Sequence, residues 1–300
     1  MKKGRLSFRN EIRRNKFHST ILIGIVLLVL LALTYVIGFA MGPDYFFIIL
    51  IFGTIISIAY VVGGYYKSAD LAIAASNAKL ASRQQYPNYH HLVEGLCLAS
   101  GLPKPKLYVM EHSQINAFAS GRDPKHAVIA VTTGALQKLE KRELEGVLAH
   151  ELSHIANYDI RFMTLTAVLV GLVSIIAQIF LRSLFWSSLS GGRSNRQGDG
   201  RSQAIFMIIG IALAILAPII VALVQFAISR RREYAADSSA VKFMRTPTGL
   251  IGALTKIKHN KPMKVAGAVS PLFIEKPSKT KEWFSTHPPL DKRIERLKRM

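Results

Sequence analysis

Two long uncharged apolar runs near the start of the chain limit its architecture more than any other feature. No charged residue occurs between Ser19 and Pro43, and the segment from Ile21 to Met41 is almost wholly aliphatic residues and glycine. After Gly42-Pro43-Asp44, which reads as a tight turn, a second uncharged run extends from Tyr45 to Tyr66. Each reaches the roughly 20 apolar residues that span a bilayer, so together they predict a membrane hairpin. Two further runs follow: Phe162 to Leu181, which contains Gln178 and is closed by Arg182, and the charge-free Ala204 to Ser229. The expected class is an α-helical polytopic membrane protein with four transmembrane helices.

Basic residues orient the spans, because Lys and Arg beside a membrane segment favour the cytoplasmic face. Lys2, Lys3, Arg5, Arg9, Arg13, Arg14 and Lys16 precede the first run against one acid, Glu11, and Arg230-Arg231-Arg232 close the fourth. The first turn has no basic residue, as an outside loop should. The second outside loop, Ser187 to Gln203, is Gly/Ser-rich but carries Arg193, Arg196 and Arg201. Both termini are therefore expected in the cytoplasm. A cleaved signal peptide is disfavoured, because the first run is too long and lacks a small-residue cleavage site. The formal charge of +21 points to anionic lipid headgroups, at about 1 kcal/mol per basic residue near the surface. Nucleic acid is not an expected partner, since no stacking-aromatic pattern accompanies the charge.

The expected organisation is a basic cytoplasmic N-terminus over residues 1–18, a transmembrane hairpin over 19–66, a first part outside the membrane over 67–161, a second hairpin over 162–229 and a second part outside the membrane over 230–300. The two parts outside lipid share one side and can build one mainly helical α+β domain with a small sheet. Lys106 to Glu111 and Ala127 to Val131 read as short strands, with Asn116 to Ser120 as another between them. Helical patterning covers Asp70 to Ala81, His91 to Ala99 and Arg142 to Tyr158.

The last of these helices contains His150-Glu151-Leu152-Ser153-His154. Residues four apart lie above one another on a helix, so both imidazoles leave from one face and can grip a single metal. Composition predicts this HExxH pattern only about 0.01 times in a chain of this length. Leu144, Val147, Leu148, Glu151 and Ile155 form a helical stripe that is apolar except for Glu151. A carboxylate there is costly without a charged partner or a task. With Cys97 the sole cysteine, a third ligand must be another His or a carboxylate. Glu233-Tyr234-Ala235-Ala236-Asp237 stands just beyond the fourth run, so Glu233 and His154 lie at similar distances from lipid. His90, His91, His112, His126 and His259 lack ligand-like spacing.

His150-Glu151-Leu152-Ser153-His154, Glu233-Tyr234-Ala235-Ala236-Asp237, Asn116-Ala117-Phe118-Ala119-Ser120-Gly121 and Thr286-His287-Pro288-Pro289 together resemble the HtpX-type membrane zinc endopeptidases, relatives of the CAAX prenyl endopeptidases. The resemblance covers almost the whole chain. It implies a gluzincin-like site holding one Zn²⁺ on His150, His154 and Glu233, with Glu151 as general base and acid. It further implies His287 as a stabiliser of the oxyanion, Asp237 as an acceptor orienting a ligand, and Arg293 as the ion-pair partner of Asp237. Asn116, Ala117 and Phe118 would begin an edge strand that pairs with substrate backbone. The implied setting is the bacterial cytoplasmic membrane, with misfolded or damaged membrane proteins, or unfolded polypeptide, as substrates for quality control under stress. A prenyl-peptide protease would share the chemistry and differ in substrate. A non-catalytic scaffold or transporter would instead need polar groups at mid-membrane, and only Gln178, Arg182 and Gln225, all near segment ends, are candidates. Oligomeric state has no signature in the sequence. A topology reporter inserted between Ser187 and Gln203 should read as non-cytoplasmic, and a cytoplasmic signal would mean that the third and fourth runs do not cross.

Overall fold

Two helices account for the first apolar runs. In the computed structural model, which describes residues 8–41, 43–166, 210, 230–260 and 288–300, α1 (Phe8–Met41) and α2 (Pro43–Tyr66) are joined through a single residue and pack along one another. Helix therefore begins well inside the expected basic N-terminus, and Pro43 opens α2, where its missing N–H costs nothing. Most of the third run, the fourth run, the loop Ser187 to Gln203 and His287 lie outside the described residues. The α2 sequence has a mean hydropathy of 2.5 and only 11% of it is buried by the protein. A soluble core helix would be covered; this apolar helix is left largely uncovered by the described residues, as a membrane-spanning helix would be. α1 has two characters. Asn15, Ser19, Leu22 and Val26 are buried, whereas Ile21, Ile25 and Leu28 are exposed.

Beyond α2, the chain forms α3 (Ser68–Ala75) and then a short strand, β1 (Lys79–Leu80). The helix expected to reach Ala81 thus ends early. Asn77 takes a left-handed φ of 50°, which asparagine tolerates better than most residues, and the chain turns to pair Lys79 with Val109. α4 (Pro87–Ser100) contains the expected His91 to Ala99 segment and stops at Gly101, whose φ of 72° suits a residue without Cβ. β2 (Lys106–Met110), β3 (Ala117–Gly121) and β4 (Ala127–Thr132) fall on the three expected strands. They form a mixed sheet in the order β1-β2-β4-β3, with β2 and β4 parallel and the outer pairs antiparallel. β3 is thereby an edge strand. A short helix, α5 (Thr133–Lys138), leads to α6 (Lys141–Ala156), which carries the HExxH segment.

α6 is held at its start by a capping box: the Glu140 side chain accepts from the first turn, and the Glu143 carboxylate accepts the Glu140 N–H at 2.8 Å. Its apolar stripe buries Leu144, Val147, Leu148, Leu152 and Ile155 in one core with Tyr89, Val93 and Leu96 of α4 and Ile129 and Val131 of the sheet. The opposite side is covered by α7 (Arg230–Met244), α8 (Thr248–Lys258) and α9 (Leu290–Leu297). α6 and α8 approach backbone to backbone at two glycines. A Cβ on Gly146 would stand 2.5 Å from the Leu250 nitrogen, and one on Gly249 would stand 2.1 Å from the Arg142 carbonyl oxygen. Since Gly146 lies one turn before His150, this contact also sets the height of the site. Gly146→Ala should destabilise the folded protein by about 1–3 kcal/mol through overpacking, read as a lowered unfolding midpoint of the purified protein.

Candidate metal centre

Local chain geometry brings two helices and their charged groups face to face. His150 and His154 leave α6 one turn apart, and their Nε2 atoms converge to 3.2 Å. Glu233 and Asp237 leave α7 at the same four-residue spacing. Ala236 and Ala240, both fully buried beside them, let α7 settle closely on α6. One Glu233 oxygen lies 3.6 Å from His150 Nε2 and the other 3.7 Å from His154 Nε2. Metal bonds near 2 Å in a tetrahedron place ligand atoms about 3.3 Å apart, so these three buried donors have the spacing of a single metal ion's ligands. Charge agrees with distance. Glu151, Asp159, Glu233 and Asp237 are the buried carboxylates among the described residues, and Arg232 and Arg293 the buried guanidiniums. With neutral imidazoles, two negative charges remain, which one divalent cation balances.

The far ring nitrogens are also engaged. His150 Nδ1 lies 3.0 Å from Asp237 Oδ1, and His154 Nδ1 lies 3.1 Å from Asp159 Oδ2. Each carboxylate can accept the Nδ1 proton and so direct the Nε2 lone pair towards the cluster, the arrangement that fixes metal-binding imidazoles. Asp159 reaches His154 because α6 ends at Asn157 and Tyr158 takes a left-handed φ of 59°. That conformation costs a non-glycine residue roughly 1–2 kcal/mol. It turns the chain so that a new helical stretch, residues 159–166, opens with Asp159 beneath the ring. Arg293 arrives from α9 with no exposed surface. It donates to Asp237 through Nη2 at 2.6 Å and Nε at 2.9 Å, and its Nη1 stands 3.2 Å from Glu233. This fork holds two carboxylates of α7 in register and depresses the Asp237 pKa against the upward push of burial.

Glu151 is buried between this cluster and β3. Burial raises its pKa; the neighbouring imidazoles and a backbone hydrogen bond with Ala119 act in the other direction without cancelling the rise. Thr132 N–H donates to the Asn116 carbonyl, so by antiparallel alternation Phe118 and Ser120 also turn their backbone groups to β4. Ala117 and Ala119 turn theirs away from β4, the Ala117 N–H donating to Asn116 Oδ1 at 3.0 Å and Ala119 bonding with Glu151. For His150, burial and Arg293 act to lower the pKa, but hydrogen bonds to Asp237 and Glu233 outweigh them and raise it to about 9.

The structure thus gathers His150, Glu151, His154, Glu233, Asp237 and Arg293 at one place, with Ala117 and Phe118 on the adjoining edge strand and Asn116 directly before it. His287 lies outside the described residues. The remaining histidines stand apart from the cluster in local contacts, as when His90 Nε2 meets the Ala81 carbonyl at 2.9 Å. Sequence reasoning missed Asp159, Arg232, Ala119 and Asn15. The only signal for Asp159 was an acid five residues beyond His154, directly after the end of α6.

The description "Peptidase family M48" matches residues 83–300. A protein named "Protease HtpX homolog" from Thermoanaerobacter pseudethanolicus is 45% identical over 78% of this chain and 79% of its own length. One of the same name from Dictyoglomus thermophilum is 39% identical over 98% and 95%, and one from Listeria monocytogenes 42% identical over 81% and 86%. Among solved structures, S. mikatae Ste24p shares the fold at a TM-score of 0.50 and 19% identity; the match covers 95% of this chain and 66% of that longer one.

Because a proton and a metal compete for His150, acid should weaken metal binding. Below the ring's pKa of about 9, the apparent affinity for Zn²⁺ should fall up to roughly tenfold per pH unit. Chelator-competition titrations between pH 8 and pH 6 check this, and a flat profile would show that no ligand proton is displaced.

Proposed function

The chain belongs to peptidase family M48 and is a membrane metalloprotease, and on that premise we propose that it uses zinc to cleave misfolded or damaged membrane proteins at the cytoplasmic face. In this reading His150, His154 and Glu233 hold the ion. The observation that carries it is the convergence of those three buried donors around a position beside Glu151. A zinc ion held there would supply Lewis-acid polarisation of the attacking water and the scissile carbonyl. Nitrogen-rich ligation with one carboxylate favours zinc over magnesium or calcium, which prefer oxygen donors.

Glu151 takes a proton from the attacking water and passes it to the leaving amine. The raised pKa suits that double task, because a base must also be able to act as an acid near neutral pH. Asp237 and Asp159 keep the two imidazoles oriented while charge shifts in the site, and Arg293 keeps Asp237 ionised. His287, three residues before α9, is assigned to the oxyanion from the Thr286-His287-Pro288-Pro289 motif. The outward carbonyls of Ala117 and Ala119 accept from the backbone of an extended substrate. Recognition through main chain rather than side chain suits unfolded segments of many sequences.

The orientation rests on the distribution of Lys and Arg. Four spans with both termini inside put the catalytic parts, residues 67–161 and 230–300, on the cytoplasmic side, with basic flanks against anionic headgroups. Substrates would then be membrane-protein segments that emerge beside the lipid. Metal analysis and a proteolysis assay on detergent-purified protein test the chemistry. Glu151→Gln should keep about one zinc per chain yet lose cleavage by at least about 100-fold, the range of a lost general base. Glu233→Ala should lose metal affinity. Full activity in Glu233→Ala would remove the ligand assignment, and full activity in Glu151→Gln would remove the base.

A further inference from the structure

Asn15 is a polar residue buried at the first position of the α1 apolar segment, Asn15–Ala32, and is 3% exposed. A buried amide in such a place is costly unless its hydrogen bonds are made. Both N–H groups of Asn15 are used, whereas its Oδ1 has no hydrogen-bond partner among the described residues. Nδ2 donates to Asp159 Oδ1 at 2.7 Å and to the Asn157 carbonyl at 2.9 Å. These two acceptors flank Tyr158, the left-handed residue that turns the chain from α6 into residues 159–166. Asn15 therefore clamps the turn from both sides. The other Asp159 oxygen meets His154 Nδ1, while Arg232 Nε stands 3.5 Å from Oδ1. An unbroken path runs from a membrane helix through Asn15 and Asp159 to His154, with no water needed in it.

We propose that Asn15 is a positioning residue for the metal centre, through which α1 sets the orientation of the His154 ring. This rests on the reading of His154 as a ligand. The amide suits the task better than the alternatives. A lysine would add a third cation to the site, and an aspartate would set a second carboxylate against Asp159. An apolar residue would leave one Asp159 oxygen to Arg232 alone and would release the Asn157 carbonyl. The neighbouring contacts hold α1 in place around the clamp. Lys16 Nζ lies 4.2 Å from the Tyr158 ring centre, and Leu22 and Val26 pack on Phe162 and Leu165. The metal centre thus depends on a helix that precedes its nearest ligand by more than a hundred residues of chain.

The test measures Zn²⁺ affinity of the full chain in detergent by chelator competition, with the absorption spectrum of the Co²⁺-loaded protein as a report on ligand geometry. Asn15→Ala and the bulkier Asn15→Leu should each weaken Zn²⁺ binding about tenfold, the lower end of what losing a ligand's supporting partner costs, and should shift the Co²⁺ bands. In an Asp159→Ala background, the same Asn15 substitutions should change affinity by less than about twofold, because the path is already cut. Leu22→Ala loosens the same helix without touching Asp159. It should lower the unfolding temperature and leave Zn²⁺ affinity unchanged, which separates positioning from general support. Wild-type affinity and Co²⁺ spectrum in a folded Asn15→Ala or Asn15→Leu protein would overturn the proposal. So would an equal loss of affinity with and without Asp159. His154→Ala is the arm that tests the underlying reading: if it too binds Zn²⁺ as wild type does, the metal centre itself is misassigned, whereas loss in His154→Ala with none in the Asn15 variants defeats the positioning role alone.

Discussion

Four carboxylates buried around one pair of imidazoles are the constraint on which the rest of this protein depends. Each ionised group costs several kcal/mol to take out of water even after relaxation, so Glu151, Asp159, Glu233 and Asp237 can share one interior only if positive charge is brought among them. The chain supplies part of it from distant places: Arg293 from α9 and Arg232 from the start of α7. A divalent cation at the His150, His154 and Glu233 cluster would supply the remainder. Much of the packing serves this balance. The alanines of α7 permit close approach to α6, the glycines between α6 and α8 fix its height, and α9 lays a fully buried guanidinium across two carboxylates.

How much of this can be read from the sequence depends on whether the pattern is local. The HExxH segment and the Glu233/Asp237 pair are each written on one helix at four-residue spacing, so their geometry follows from the helix itself. The strands at Lys106–Met110 and Ala127–Thr132 are equally legible, being short, β-branched and bounded by turn residues. Arg293 is different. It sits in a basic tail, where another arginine carries no information by itself; its pairing with Asp237 is expected only from the family resemblance, and the structure shows the two side chains buried together. Asp159 and Asn15 are less legible still. One follows a non-glycine left-handed turn that no periodicity marks, and the other lies among basic residues at the mouth of an apolar helix. Their meaning arises from contacts across more than 140 positions of sequence. β1 was lost for a related reason: two residues of strand exist only because β2 is there to pair with them.

The two faces of α1 show why the lipid-exposed part of this protein and its site form one structure. A helix that served only as an anchor would need no polar residues on a consistent face. Asn15 and Ser19 instead continue, at helical spacing, the buried face formed by Leu22 and Val26, while Ile21, Ile25 and Leu28 point away from the protein. The buried face meets the start of residues 159–166, the stretch that opens with Asp159 and carries Phe162 and Leu165 against α1. The same stretch supports the edge strand. Thr164 Oγ1 lies 3.0 Å from Ser120 Oγ and 3.4 Å from the Gly121 nitrogen of β3, and Ala119 of that strand faces Glu151. The two turns of helix after the site therefore contact the apolar helix on one side and the open strand on the other, and begin with Asp159 against His154. A displacement of α1 along its axis would shift both the imidazole and the strand that faces the base. The positions of His154 and of the open strand are for this reason coupled through residues 159–166, which α1 contacts where the chain enters its apolar segment.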